Sequence, residues 1–139
     1  MTRIAVIDGQ GGGIGALIVK RLREEFGEDI EIIALGTNST ATTQMMKARA
    51  NKGATGENAI IFNLKKVDLI VGPLSIIISN GMLGELTPAM ATAIANTDCP
   101  KILLPLNQEQ ISIAGVEKEP LPHLVEKLIE MVKEKINKK

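Results

Sequence analysis

The chain has no tryptophan, no tyrosine and only two phenylalanines in 139 residues. Gripping single-stranded nucleic acid by stacking bases on aromatic side chains is therefore excluded as its mode of action. Lysine plus arginine number 16 and aspartate plus glutamate 16, a formal net charge of zero. No surplus of cations is available to neutralise a phosphate backbone, so nucleic acid is not an expected partner. One cysteine and one histidine cannot build a disulfide framework or a zinc site of recognisable spacing, and no metal ligand set is assigned. Long hydrophobic runs are missing as well. Between Leu69 and Thr97 the only charge is Glu85, but Gly72, Pro73, Ser75, Ser79, Asn80 and Pro88 break the stretch far short of a bilayer-spanning length. Met1 leads straight into an apolar strand without a basic segment and a long apolar one. The expectation is a cytoplasmic protein with no signal peptide and no membrane partner.

What is present is an ordinary globular balance, 45% hydrophobic and 23% charged residues, in a length that suits one domain over 1–139. The hydrophobic pattern alternates strand and helix. Strands are expected at Ile4–Ile7, Ile30–Leu35, a very short Gly53–Thr55, Val67–Val71 and Ile102–Pro105. The first helix runs from Gly13 to Phe26, with Ile14, Leu17, Ile18 and Leu22 on one face and Gly27 as its stop. Ser39 or Thr40 is expected to cap a second helix carrying Met45, Met46 and Ala50, and Thr55 a third over 56–64. Thr87-Pro88 opens a fourth and Pro122 the last, whose apolar face is Leu121, Leu124, Val125, Leu128, Ile129, Val132 and Ile136. Ile111–Ala114 reads as one more strand, reached by a link too short for a parallel crossover, hence antiparallel or at an edge. Leu74 to Leu83 is too apolar for open solvent and reads as a buried helix or a dimer contact.

This pattern implies an α/β fold: a single Rossmann-like three-layer domain with a mostly parallel sheet, order 3-2-1-4-5, the flavodoxin-like order 2-1-3-4-5 being the alternative. Right-handed crossovers then bring every strand-to-helix turn to one edge of the sheet. The strongest chemical signal lies on that edge, in Asp8-Gly9-Gln10-Gly11-Gly12-Gly13-Ile14-Gly15 between the first strand and the first helix. Glycines let the backbone approach a ligand closely, and a helix N-terminus offers free N–H groups and a positive dipole to an anion. No Gly-Lys-Ser/Thr follows, so it is not a Walker loop. Asp8 reads either as an acceptor for the loop's own N–H groups or as a contact for a ligand or hydrated Mg²⁺. Thr37, Asn38 and Ser39 after the second strand, Gly72 and Pro73 after the fourth, and Asn107-Gln108 after Pro105 fall on the same edge. His123 and Cys99 lie away from it and read as surface and inert thiol.

The spacing Gly9-x-x-x-Gly13-Ile14-Gly15 resembles the fingerprint of short-chain dehydrogenases/reductases, and Val67 to Pro73 resembles that superfamily's fourth strand and turn. The resemblance implies a Rossmann-like half. Its redox chemistry uses a Tyr and a Lys three residues later, and this chain has no Tyr. Over the whole chain the sequence resembles a family of short bacterial proteins, the domain of unknown function 3842. The blocks carrying that resemblance are Val6 to Gly15, Leu35 to Asn38, Gly53 to Ile60, Gly72-Pro73 and Met82 to Pro88. It implies no particular activity.

Asp8, Gly9, Gln10, Gly11, Gly12, Gly13, Ile14, Gly15, Thr37, Asn38, Ser39, Gly72 and Pro73 are thus the expected ligand-binding residues. The leading expectation is a binding module for a nucleotide or other phosphorylated small molecule, with NAD(P) or another adenine nucleotide as candidate cofactors. One competing expectation is a small enzyme on a phosphorylated substrate, using Asp8, Glu57 or Glu85 as acid or base. The other is a structural subunit whose glycine turn is empty. Catalytic residues are not assigned, and a homodimer is expected because so small a domain carries so uncharged a stretch.

Overall fold

The computed structural model describes residues 1–106 and 110–137. Five strands, β1 Thr2–Asp8, β2 Ile30–Gly36, β3 Lys52–Thr55, β4 Leu69–Pro73 and β5 Lys101–Leu104, form one sheet in the order β3-β2-β1-β4-β5. All neighbours pair parallel. The helices are α1 Gly13–Phe26, α2 Ser39–Lys47, α3 Glu57–Asn63, α4 Pro88–Ala95 and α5 Leu121–Asn137. This is the expected order, and the flavodoxin-like alternative is not adopted. Asp8 pairs with Gly36 and Pro73 with Leu104, so the ends of these strands stand side by side at one edge.

Alternation along β1 divides the core. Ile4 and Val6 face a layer built on Ile18, Leu22, Leu124 and Leu128 from α1 and α5. Ala5 and Ile7 face Ile60, Met90 and Ile94 from α3 and α4. Side chains of successive strand residues point to opposite faces, so a sheet covered on both faces must be apolar at every position, as Ile4 to Ile7 are. On α5 the buried residues are Leu124, Val125, Leu128, Ile129 and Val132. Each contributes about 1.5–3 kcal/mol of burial, and a charge at Leu128 would break the α5 contact.

Four local expectations are corrected. Asn38 caps α2, its Oδ1 accepting from the Ala41 N–H at 2.9 Å. The Ser39 or Thr40 reading placed the cap late, and Ala50 lies beyond the helix. Gly56, at φ 97, stands at the cap of α3, while the Thr55 hydroxyl bonds the Thr42 hydroxyl at 2.7 Å. Ile111–Ala114 does not join the sheet; β5 is the edge, and Ile111 makes only an isolated bridge. The apolar stretch after β4 is neither a full helix nor a wholly exposed face. It is a 3₁₀ turn over Leu74–Ile77 and a series of turns, with Ile76, Met82 and Leu86 buried in the domain and Leu83 exposed. Among the described residues no helix is long and apolar enough to cross a membrane.

Candidate functional site

The turn after β1 is organised by a buried carboxylate. Asp8 is 3% exposed. Its Oδ1 accepts from the Gly9 N–H at 2.8 Å and its Oδ2 from the Gly15 N–H at 2.6 Å, tying the strand end to the first turn of α1. Burial pushes the Asp8 carboxyl above its ordinary value; the two N–H groups oppose this, and the charge of Glu85 adds to it. The Gly12 N–H donates to the Gly9 carbonyl at 2.9 Å, and Gly12 caps α1 at φ 75. Its left-handed backbone favours glycine, and a Cβ there would stand 2.7 Å from the Ala41 Cα. Gly9 and Gly15 have no room for a side chain either, facing Met82 and Glu85 in one case and Met45 and Asp8 in the other.

Gly11 and Gly13 are different. Neither has a positive φ, and a Cβ on either would meet nothing within 4 Å. Both line a cleft of about 180 Å³ bounded also by Asp8, Ile14, Pro73, Ser75 and Met82. It opens where the order reverses, between β1 and β4, the place where ligands bind in open α/β sheets. Gly13 and Ile14 begin α1, so their N–H groups have no intrahelical acceptor. Opposite them stands Ser75, 0% exposed, whose hydroxyl has no hydrogen-bond partner among the described residues.

A strap from Ile78 to Thr87 crosses the turn on its β2 side. Asn80, Met82 and Leu83 are left-handed at φ 64, 57 and 57, followed by Gly84 at 93. Met82 lies over Gly9. Glu85 Oε1 accepts from the Thr37 hydroxyl at 2.6 Å, the Gln10 N–H at 2.8 Å and Asn38 Nδ2 at 2.9 Å. Burial pushes the Glu85 carboxyl up, but these three bonds together outweigh it and hold the carboxyl below its ordinary value.

The expected site residues therefore divide. Asp8, Gly9, Gln10, Gly11, Gly12, Gly13, Ile14 and Pro73 gather around the cleft, with Gly15 behind Asp8. Thr37 and Asn38 are spent on Glu85, and Asn38 also donates to the Gln10 carbonyl at 3.0 Å. Ser39 is exposed at the start of α2. Gly72 is packed against the Ile7 carbonyl inside the sheet. Asn107 and Gln108 lie outside the described residues. Of the candidate acid–base groups, Glu57 accepts from the Thr87 hydroxyl at 2.5 Å, joining α3 to the cap of α4. Ser75 is not among the expected binding residues, although Gly72-Pro73-Leu74-Ser75 follows the fourth strand on the same edge; its signal is a single hydroxyl in the apolar run Leu74 to Ile78, two residues past the strand end. A larger groove of about 450 Å³ lies between β5 and α5, walled mainly by Ile102, Leu104, Leu124, Leu128 and Met131, with Lys127 at its wall already paired to Glu119. Size does not make it the better candidate, because these apolar walls present no converging set of donors.

A family model described as a domain of unknown function, DUF3842, matches residues 3–137. No curated protein matches the chain. Among solved structures the chain is similar to a dodecameric FMN-dependent UbiX-like decarboxylase from Escherichia coli O157:H7. The identity is 13% over 96% of this chain and 95% of that one, with a TM-score of 0.48. It is also similar to a universal stress protein in complex with cAMP, at 14% identity over 74% of this chain and 97% of that one, TM-score 0.43. Neither likeness reaches beyond the overall course of the chain. The resemblance of the glycine turn to short-chain dehydrogenases/reductases is not shown by these comparisons.

Proposed function

The chain belongs to the DUF3842 family, and from that premise we propose that it is a binding module for a phosphorylated small molecule, held at the turn between β1 and α1. The observation that carries this reading is the buried, unpartnered hydroxyl of Ser75, a residue that lines the same cleft as the glycine turn. An orphaned buried hydroxyl costs about 1–3 kcal/mol, and a ligand oxygen would satisfy it. Gly11 and Gly13 support the same reading, since neither backbone strain nor packing accounts for glycine there. Their missing side chains leave the N–H groups at the start of α1 open to an anion. The cleft's volume suits a phosphate and the atoms next to it, with the rest of a nucleotide on the rim. NAD(P) or another adenine nucleotide is within this class. A ribose held by Thr37 and Asn38 is not, while Glu85 occupies both.

The test exploits composition. Without Trp or Tyr the protein is almost transparent near 280 nm, so a nucleotide retained through purification dominates the near-ultraviolet spectrum. A melting screen covers NAD, NADP, FAD, AMP, ATP and simple phosphates, each with and without Mg²⁺. Binding to the native state alone adds about 2.7 kcal/mol of stability at a ligand concentration of 100 times Kd. A blank spectrum and an unmoved melting temperature throughout contradict the proposal and favour a structural turn. We also propose that two copies associate, because Ile111, Ile113, Val116 and Met131 stay exposed on the side of the sheet where β5 is the edge. Light scattering at micromolar concentration should give a dimer mass; a monomer mass contradicts it.

A further inference from the structure

Building on the phosphate reading above, we infer that the cleft selects its ligand by charge: it takes a singly charged phosphate, as in a phosphodiester or a protonated monoester, over a dianionic monoester. All the donors at the cleft are neutral, namely the N–H groups of the turn and the hydroxyl of Ser75, buried in its wall. None of the residues described as lining the cleft is Lys, Arg or His. The negative groups are already in place. Asp8 lines the cleft, buried, with an oxygen turned to Gly9 and the other to Gly15. Glu85 stands across Gly9 with the Gln10 N–H on its Oε1. Three N–H groups that would otherwise face an incoming anion thus point at carboxylates of the protein itself. Asp8 from β1 and Glu85 from the strap are the titratable groups at this turn; the starts of α1 and α2 and the end of β4 contribute the neutral Ile14, Asn38 and Ser75. A first ligand charge is met by the remaining donors and the helix dipole. A second finds only like charges and no cation to offset them, in a partly desolvated cleft where screening is weak.

The probes are methyl phosphate, a monoester whose second ionisation falls near pH 6 (about the value of phosphoserine), and dimethyl phosphate, a diester singly charged throughout. Each is titrated at pH 5 and at pH 8 while the amide resonances of Gly11 and Gly13 are followed by NMR. The expected result is that methyl phosphate weakens relative to dimethyl phosphate by about tenfold between the two pH values, the order expected from one unfavourable charge contact at short range. Using the diester as reference cancels any titration of Asp8 or Glu85 themselves. A monoester that binds at pH 8 as well as the diester, or better, overturns the inference while leaving phosphate binding intact. Resonances unmoved by either probe at either pH overturn the phosphate reading itself. Glu85→Gln, which keeps an acceptor on the strap but removes its charge, is expected to shrink the preference for the diester at pH 8. A preference of unaltered size overturns the part given to Glu85.

Discussion

The two segments that meet over Gly9 are held in shape by different means. The glycine turn takes most of its form from its own residues: Gly12 is left-handed and the nearby Asp8 closes the loop on itself, while Gln10, left-handed at φ 51, is held by the strap through Glu85. The strap after β4 takes left-handed conformations at Asn80, which tolerates them, and at Met82 and Leu83, which have no such freedom. Its shape is imposed from outside, by burial of Met82 and Leu86 and by Glu85 bonding to Gln10, Thr37 and Asn38. A segment shaped by its own residue types announces itself in a sequence, and one shaped by distant partners does not. Each segment also carries a carboxylate, and the two are shifted in opposite directions, Asp8 up and Glu85 down.

Breaking the locally determined segment should cost most. Gly12→Ala puts a side chain against the Ala41 backbone at a left-handed position, and about 3 kcal/mol should be lost in urea denaturation, from overpacking plus φ strain. A loss below about 1 kcal/mol would mean the turn yields easily. Asp8→Ala leaves the Gly9 and Gly15 N–H groups without their acceptor and should cost about 2 kcal/mol. Its sign with pH follows from the raised value. Stability that depends on Asp8 is complete below the ordinary 3.8 and declines as pH rises through the folded-state value, so Asp8→Ala should cost more at pH 3.5 than at pH 7.

The strap should respond less and with the opposite pH dependence. Glu85 is partly exposed, so Glu85→Ala should cost about 1 kcal/mol at pH 7. Its contribution is present above the ordinary 4.5 and lost as pH falls through the lowered folded-state value. Hydrogen exchange at the Gln10 amide should quicken in this variant, and an unchanged rate there would break the claim that Glu85 holds the strap to the turn. Least of all, Leu83→Gly should raise stability by about 0.5 kcal/mol. Leu83 is 88% exposed at φ 57, so the change relieves strain and loses no packing. A destabilised Leu83→Gly would mean the strap is not strained at its tip.

The same contrast explains how much could be read from the sequence. The span of α1, its stop at Gly27 and the strand order follow from periodicity, a glycine stop and crossover handedness, all local or topological rules. The glycine turn was legible for the same reason. Glu85 appeared in the sequence as a lone charge in an apolar stretch, and its partners Gln10 and Thr37 lie 75 and 48 residues away. No periodicity reports such a contact. Thr37 and Asn38 looked free to bind a ligand because what occupies them comes from that distance. Ile111–Ala114 does not follow the strand rule because alternation of apolar residues over so short a span is as compatible with an exposed loop as with a strand.

The central claim, that the glycine turn is a phosphate site, is tested most directly at Gly13, where fold and binding can be separated. A Cβ there meets no protein atom within 4 Å, and the residue lines the cleft. Gly13→Val should therefore fold with the circular dichroism of the parent and melt within a few degrees of it. Calorimetry with the strongest ligand from the melting screen should show binding reduced at least about tenfold, a loss of 1.4 kcal/mol or more. A folded Gly13→Val protein that binds this ligand with the parent's affinity would contradict the account.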